Sequence, residues 1–232
     1  MQQERPDPTG SNRDRIIAAA TRLLVDGGRE ALSTRAVSAA AGLQAPTIYR
    51  VFGDKQGLLD AVAAHGFAAH LAAKTDVRPT SDPVEDLRTG WTLNIGFALA
   101  NPALYCLMYG DPRPGGPSAA AVAAFEHLTA YVHRIAEAGR LRVTEERAAR
   151  LVHAAGSGTA LALIALPEPE RDLTVSDMAR EAVISAVTTE SAAPTDPGPA
   201  SAAVALRAVL PRTPLSVGER GLLKEWLDRI AD

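Results

Sequence analysis

Two cationic side chains stand where helix electrostatics disfavours them. In the stretch LSTRAVSAAAGLQAPTIYRVFGDKQGLL (32–59), Arg35 falls in the first turn of a predicted helix, and Lys55 takes the first position of another. The helix macrodipole is positive at its N-terminus and therefore disfavours a cation there. An external anion reverses both costs, because helix N-termini and lysines bind phosphate through the same electrostatics. These side chains therefore indicate a phosphate-binding surface.

Two short helices joined by a tight turn must position these cations. Ser33 is the predicted N-cap of the first helix. Its apolar face, at three- and four-residue spacing, is predicted to be Ala36, Val37 and Ala40. Gly42 follows where a helix C-terminus needs a left-handed residue.

The second helix is predicted to start near Ala45, with Pro46 tolerated in its first turn because that turn has no internal partner for the missing N–H. Its apolar side is predicted to be Ile48, Val51 and Phe52, and its other side Thr47, Tyr49 and Arg50. The four-residue gap between the two helices is typical of a helix-turn-helix.

A third helix is predicted to begin after Gly53, with Asp54 as its cap and Lys55 at its first position. Its predicted buried face is Leu58, Leu59, Val62 and Ala63.

The blocks T-R-A-V-x-x-A-A-G-L, T-I-Y-R-x-F and D-K-x-x-L-L, in this order and spacing, resemble the N-terminal domain of the tetracycline-repressor (TetR) family of regulators. The preceding IIAAATRLLVDGGREAL is similar to that family's first helix, so the resemblance covers roughly residues 12–62. Further along, WTLNIGFALANPALYCLMYG resembles the fifth and sixth helices of one branch of the family.

The resemblance implies a homodimer whose helix-turn-helix units enter successive major grooves of a palindromic double-stranded DNA operator. It places Thr47 and Tyr49 on the recognition helix and sets Lys55 against a phosphate. The full set of predicted DNA-binding residues is Ser33, Thr34, Arg35, Gln44, Ala45, Thr47, Tyr49, Arg50 and Lys55.

One departure from the family pattern lies at the start of the recognition helix. The family usually has a small hydroxyl residue as the cap, followed soon by glycine, whereas this chain has Gln44 and Pro46 in those places. The cap is therefore expected to be weaker. Gln44 becomes a candidate for reading a base edge, since glutamine bonds adenine in a bidentate way worth about 1–3 kcal/mol of discrimination.

Charge and composition agree with contact to DNA at one end of the molecule. The chain carries 24 Lys+Arg against 27 Asp+Glu, a net charge of −3. Residues 1–55 hold eight cations and six anions, a net of +2, which leaves −5 for the remainder. Ordinary variation in surface charge is the alternative explanation.

Proline and glycine divide the rest of an all-α chain into helices. We expect a disordered arm at 1–11, not a signal peptide, then a helix-turn-helix domain at 12–65 and a helical effector-binding and dimerisation domain at 66–190. A linker at 191–200 and a helical extension at 201–232 complete the expected organisation. Helices predicted within the larger part have inner faces that include Val84, Leu87, Trp91 and Ile95, and then Val122, Phe125, Leu128 and Val132.

The segment HAAGSGTALALIAL (153–166) places glycines inside an apolar helix. It lacks the pattern of a phosphate loop or a nucleophile turn. Each glycine costs about 1 kcal/mol in a helix, so close packing should compensate. The family pairs its last two long helices with their copies, which places the dimer interface at 145–166 and 175–189; close packing within one subunit is the alternative.

The family also binds a small-molecule effector in its larger domain, and this binding moves the DNA-reading heads apart. Aromatic residues make up only 4% of the chain and concentrate in this region. The candidate effector contacts are Trp91, Phe97, Tyr105, Met108, Tyr109, Phe125, His127, Tyr131 and His153. Each is also a candidate for an ordinary core residue.

Other function classes have little support. No two of the five histidines are three or four residues apart, Cys106 is the single cysteine, and no catalytic motif is present, so we expect no metal, no cofactor and no enzyme activity. A single cysteine suits the cytoplasm, and no apolar run reaches the ~18 residues of a membrane span. The sequence predicts a ligand-responsive regulator, most simply a repressor; the alternative is a helical enzyme or small-molecule carrier that uses the N-terminal domain as a scaffold.

Overall fold

The computed structural model describes residues 8–72, 79–110, 116–189 and 198–231. Within these ranges the chain forms helices and short 3-10 turns and no β-strand, apart from one isolated bridge between Leu141 and Thr188. The predicted all-α fold is therefore confirmed. The helices are α1 (Pro8–Gly27), α2 (Thr34–Ala41), α3 (Ala45–Phe52), α4 (Lys55–Ala72), α5 (Pro83–Ala100), α6 (Pro102–Tyr109), α7 (Ala119–Glu137), α8 (Glu145–Ile164), α9 (Leu173–Val187), α10 (Gly198–Val209) and α11 (Val217–Ala231).

The chain divides into two compact units. Unit 1 comprises Met1–Val77 and Ala100–Val122, so it holds α1 to α4 together with α6. Unit 2 comprises Arg78–Leu99 and Ala123–Asp232, so it holds α5, most of α7 and α8 to α11.

Three of the expected segment limits fall inside helices. The boundary expected at residue 65 lies within α4, which continues to Ala72 because apolar side chains such as Phe67 extend its buried face. Helix α1 begins at Pro8, inside the expected arm, and α10 begins at Gly198, inside the expected linker. Residues 1–7 and 190–197 of that arm and linker lie outside the described part of the chain.

The core of unit 1 is built from α1 to α4. Ile16, Ala20 and Leu24 recur every four residues on α1 and are buried, and α1 packs on both α2 and α4. The predicted face of α4, Leu58 to Ala63, is buried as expected.

The predicted inner face of α2 needs correction. Val37 is fully buried as expected, but Ala40 is exposed, and Ser38 and Ala41 are buried in its place. The buried face consists of Val37, Ser38 (i+1) and Ala41 (i+4). A search for apolar residues alone does not find this face, because one of its members is a serine.

The core of unit 2 includes α5. Val84, Leu87, Trp91 and Ile95 are all buried, as their spacing predicts. The indole Nε1 of Trp91 donates a hydrogen bond to Ser176 Oγ of α9 at 3.0 Å, which satisfies the one polar atom of that ring.

Helix α7 differs from its prediction at one position. Val132 is buried, and Phe125 and Leu128 are half-buried, but Val122, expected inside, is 41% exposed. Near the start of the helix, the buried side chains are the small ones of Ala120 and Ala121.

A partly buried ionic cluster ties α5 to α7. Arg134 of α7 bonds the Asp86 carboxylate, which also accepts a 2.7 Å hydrogen bond from the Thr80 hydroxyl. Burial alone raises the pKa of Asp86, but the hydrogen bonds from Thr80 and Arg134 outweigh it and hold that pKa below its usual range. Arg140 pairs with Asp82 at 2.7 Å beside it.

No helix in the described ranges is both long enough and apolar enough to cross a membrane.

Candidate nucleic-acid interface

The first cationic helix start is capped as its sequence predicts. Ser33 Oγ accepts a 3.1 Å hydrogen bond from the Ala36 N–H, so α2 begins at Thr34. Arg35 is therefore in the first turn and is exposed, while Thr34 beside it is half-buried. The cap satisfies one free N–H, and the other N–H groups of this turn remain available to an external acceptor.

The turn between α2 and α3 is fixed by one left-handed glycine. Gly42 has φ 64° and ψ 37°, a conformation that costs other residues but not glycine. The Leu43 N–H then returns to the Ser38 carbonyl at 3.0 Å. Arg15 of α1 donates a 2.8 Å hydrogen bond to the Ala41 carbonyl and so locks the end of α2 against α1.

Helix α3 lacks a side-chain cap. Gln44 occupies the N-cap position in extended backbone, but its side chain makes no capping hydrogen bond. The expectation of a weak cap is confirmed, and the exposed Gln44 amide keeps its donors and its acceptor for another partner. Ile48 is fully buried and anchors the helix, which leaves Tyr49 50% exposed.

The third helix start again combines a cap with a cation. Asp54 Oδ1 accepts a 2.7 Å hydrogen bond from the Gly57 N–H, and α4 begins at Lys55. The preceding Gly53 turns the chain with φ 80°. Lys55 is exposed at the first helical position, as predicted.

Three exposed cations of this region have no protein partner. Arg35, Arg50 and Lys55 are exposed, and among the described residues none of them forms an ion pair or a side-chain hydrogen bond. Their charge is therefore not neutralised by neighbouring carboxylates. Such a set can bind a polyanion, and its members sit on three consecutive helices, two of them at helix starts.

Two arginines that sequence reasoning missed support the same region. The Arg13 guanidinium lies over the Phe52 ring, 5.3 Å from its centroid, which holds an exposed cation against the end of α3. Arg15 holds the end of α2, as described above. Both contacts join residues far apart in sequence, so no local pattern could have revealed them.

The nine candidate effector contacts are distributed over both units. Unit 1 holds Tyr105, Met108 and Tyr109, of which the first two are buried. Burial raises the pKa of the Tyr109 hydroxyl above its usual range, and the neighbouring Tyr105 adds to that rise. In unit 2, Trp91 and Phe97 are core side chains.

The other four candidates of unit 2 form two aromatic pairs. Phe125 meets His153 edge-on at 5.5 Å between ring centroids, and the partly exposed Tyr131 meets the exposed His127 edge-on at 5.3 Å. Burial lowers the pKa of His153 and therefore favours its neutral form.

A surface groove of about 250 Å³ in unit 2 contains none of these nine residues. Its lining consists of Glu85, Arg88, Thr89, Thr92, Leu93 and Arg180, of which all but Leu93 are charged or polar residues. Its arginines are already paired: Arg88 with Glu181 at 3.1 Å, and Arg180 with Asp177 at 2.8 Å. In the described part of the chain, no three His, Cys, Asp or Glu side chains gather in a way that could hold a metal ion.

Comparison with known proteins identifies the class to which this site belongs. Residues 16–62 match the family model described as bacterial regulatory proteins, tetR family. The matched range covers most of α1, all of α2 and α3, and the first part of α4. The region from residue 16 to residue 62 is therefore a TetR-family helix-turn-helix domain, the DNA-binding part of transcriptional regulators of that family.

Individual proteins similar to this chain are also transcriptional regulators or members of the same family by their descriptions. The HTH-type transcriptional regulator Rv1816 of Mycobacterium tuberculosis is 31% identical over 106 residues, which cover 44% of this chain and 44% of the relative. The chain thus spans less than half the length of that curated relative. A TetR-family protein from Vibrio parahaemolyticus is 26% identical with a TM-score of 0.52, covering 77% of this chain and 99% of the other. The multidrug binding protein EbrR, solved with imidazole, is 25% identical with a TM-score of 0.54, covering 82% and 94%.

Proposed function

We propose that this protein represses transcription as a homodimer bound to a palindromic operator and is released from it by a small-molecule effector. The observation that carries the DNA-binding part is the set of unpaired cations Arg35, Arg50 and Lys55 around the helix-turn-helix. Duplex DNA carries one negative charge per ~1.7 Å of axis, and cations that neutralise its phosphates release counterions and gain affinity.

The residue roles follow from their places on the three helices. Lys55 and the N-terminus of α4 contact one backbone phosphate, and Ser33, Thr34 and Arg35 at the start of α2 contact another. Helix α3 enters the major groove, where Gln44 with Ala45, Thr47, Tyr49 and Arg50 face base edges and adjacent phosphates. The uncapped Gln44 amide is the side chain best suited to read an adenine.

The dimer contact is proposed on α8 and α9. Leu151 is 44% exposed on α8, and Val175 and Met178 are 54% and 69% exposed on α9, so these two neighbouring helices present apolar side chains to a partner. A Cβ added to Gly158 would meet none of the described residues outside its own turn, so a second helix can approach closely there. Gly156 differs, because its Cβ position lies 3.5 Å from the Trp91 ring of the same subunit.

The effector is proposed to be a small aromatic or apolar molecule. The support is the concentration of aromatic residues between positions 91 and 131 of the sequence, together with the likeness to EbrR, a multidrug binding protein. Release then requires that the effector bind the non-operator geometry more tightly, since a ligand shifts an equilibrium only by its differential affinity. The site of action is the cytoplasm, where the operator lies.

The test is a footprint on the DNA that flanks this gene. The purified protein is expected to protect a palindrome whose half-sites lie about one or two helical turns apart, with one dimer per site by sedimentation. A protein that protects no sequence and binds no duplex in dilute buffer would contradict the proposal and favour the scaffold alternative.

A matched pair of variants on α9 tests the proposed dimer contact in the same assay. Met178→Glu is expected to yield monomers that lose the footprint, because it places a charge in the apolar contact. Asp177→Asn, also exposed on α9 but about 160° around the helix from Val175, is expected to keep both the dimer and the footprint. Equal behaviour of the two variants would remove α9 from the proposed contact.

A further inference from the structure

An aromatic ring holds one more cation beside the helix-turn-helix. The guanidinium of Arg13 on α1 lies over the Phe52 ring, 5.3 Å from its centroid. Arg13 is exposed, and among the described residues its side chain forms no ion pair and no hydrogen bond. The ring attracts the positive charge through its face, so the N–H donors of the guanidinium still lack an acceptor atom from the protein.

Exposed arginines of unit 2 are positioned in another way. Arg150, Arg212 and Arg229 each bond a glutamate carboxylate, which offsets the charge and occupies part of the donor set. The Phe52 ring positions Arg13 without neutralising it. This contact therefore orients a cation in advance and leaves its full charge for an anion from outside the protein.

Phe52 also connects this cation to the start of α4. It is the last residue of α3, and Lys55 opens α4 three residues later, so their Cα atoms are at most about 11 Å apart. The junction is tight, because a Cβ added to Gly57 would lie 2.1 Å from the Phe52 carbonyl oxygen. Successive phosphates of one DNA strand rise by about 3.4 Å along the duplex axis. A run of about three phosphates therefore spans the distance from Phe52 to Lys55.

We propose that Arg13, positioned by Phe52, is a further phosphate-contacting residue and binds the same run of duplex backbone as Lys55. The inference rests on the operator-bound regulator proposed above, because it adds a contact to that interface. Arginine suits this place, since its planar fork can bond two phosphate oxygens at once. Contact with the ring reduces the side-chain freedom that is lost when the phosphate binds.

A purely structural link between α1 and α3 is the rival explanation, and it makes a different demand on variants. Breaking such a link lowers the free energy of unfolding but leaves the number of counterions released from DNA unchanged. That number is read from the slope of the logarithm of the association constant against the logarithm of salt concentration. The slope becomes shallower only when a phosphate contact is lost.

The salt dependence of binding to a mixed-sequence duplex tests the contact. Arg13→Gln is expected to weaken binding at 0.1 M salt by roughly tenfold per contact and to make the slope shallower by about 1.8 for a dimer, or 0.9 for each contact. Arg13→Lys keeps the charge and should restore the wild-type slope. The matched control is Arg22→Gln, which should keep the wild-type slope, because Arg22 is exposed nine residues further along α1 on the opposite side of that helix.

Phe52→Leu tests the positioning role. Leucine keeps an apolar side chain at this half-buried position but removes the ring. DNA affinity is expected to fall by about two- to fivefold per subunit, with the slope unchanged because Arg13 is still charged. In an Arg13→Gln background the same change should leave DNA affinity unaltered, since the ring then has no cation to hold.

Three outcomes would overturn the inference. A wild-type slope for Arg13→Gln, with a shallower slope for Lys55→Gln in the same assay, would remove Arg13 from the interface and leave the proposed regulator function standing. Equal losses of affinity from Phe52→Leu with and without Arg13 would remove the positioning role. A wild-type protein that binds no duplex in dilute buffer would overturn both this inference and the regulator function on which it rests.

Discussion

The same residue type behaves differently in the two units of this protein. In unit 2, three arginines are neutralised by nearby carboxylates: Arg88 by Glu181 at 3.1 Å, Arg140 by Asp82 at 2.7 Å, and Arg134 by the buried Asp86. In the helix-turn-helix of unit 1, Arg35, Arg50 and Lys55 have no such partner among the described residues. These paired arginines of unit 2 therefore stabilise the subunit, whereas Arg35, Arg50 and Lys55 remain available to an anion from outside it.

Reversing one unpaired cation should have the largest effect. Lys55→Glu is expected to lower affinity for every duplex on the order of 100-fold at 0.1 M salt, because a dimer loses two phosphate contacts and each is worth roughly tenfold there. Fluorescence anisotropy with the operator and with an unrelated duplex measures this.

The matched control for that change is a cation that is already paired. Arg212 is exposed and bonds Glu137, so Arg212→Gln should leave DNA affinity within about twofold, while Lys55→Gln already weakens it by roughly tenfold per contact. If the two glutamine variants bound DNA equally well, the distinction between paired and unpaired cations would have no functional meaning.

Removing a paired partner should cost stability and not DNA contact. Asp86→Asn leaves the guanidinium of Arg134 without its carboxylate at a site where the aspartate is 6% exposed. We expect a loss of about 2 kcal/mol in the free energy of unfolding, measured by urea titration. Thr89→Ala, on the exposed side of α5, should stay within ~0.5 kcal/mol of the wild type.

The same carboxyl predicts how stability depends on pH. The folded-state pKa of Asp86 lies below its unfolded value, so its contribution is present above the unfolded pKa of about 3.9 and is lost as the pH falls through the folded pKa. The carboxyls of Asp82 and Glu181, also lowered in pKa, contribute in the same direction. The wild type should therefore lose stability below about pH 4 more steeply than Asp86→Asn, and parallel curves would contradict this origin.

The smallest expected change concerns sequence preference. Gln44→Ala should relax the choice of base at one position of each half-site, with about 1–3 kcal/mol of discrimination lost there and little change in affinity for unrelated DNA. Selection from a randomised operator library measures it. Recovery of the same operator by both proteins would remove Gln44 from the base-reading set.

Sequence reasoning succeeded where the determinants are local. The caps at Ser33 and Asp54, the left-handed Gly42 and the weak cap at Gln44 are each decided within a few residues, and the sequence predicts all of them. Helix order through both units was also readable, because proline and glycine separate the helices.

Prediction from the sequence failed where a residue distant in sequence decides which side chains are buried or paired. Asp86 and Arg134 are 48 residues apart, and the sequence around each of them does not indicate their contact. The burial of Ser38 instead of Ala40, and the exposure of Val122, depend in the same way on which neighbouring helix covers each face. The contact between Phe125 and His153, two of the effector candidates, is nonlocal in the same way.

The salt dependence of DNA binding tests the central claim most directly. The logarithm of the association constant is measured against the logarithm of salt concentration for the wild type and for the triple variant Arg35→Gln, Arg50→Gln, Lys55→Gln. The wild type is expected to give a steep negative slope, and the variant a slope shallower by about 0.9 for each phosphate contact removed, or up to roughly 5 units per dimer. Equal slopes for the two proteins would contradict the assignment of these three side chains to duplex phosphates.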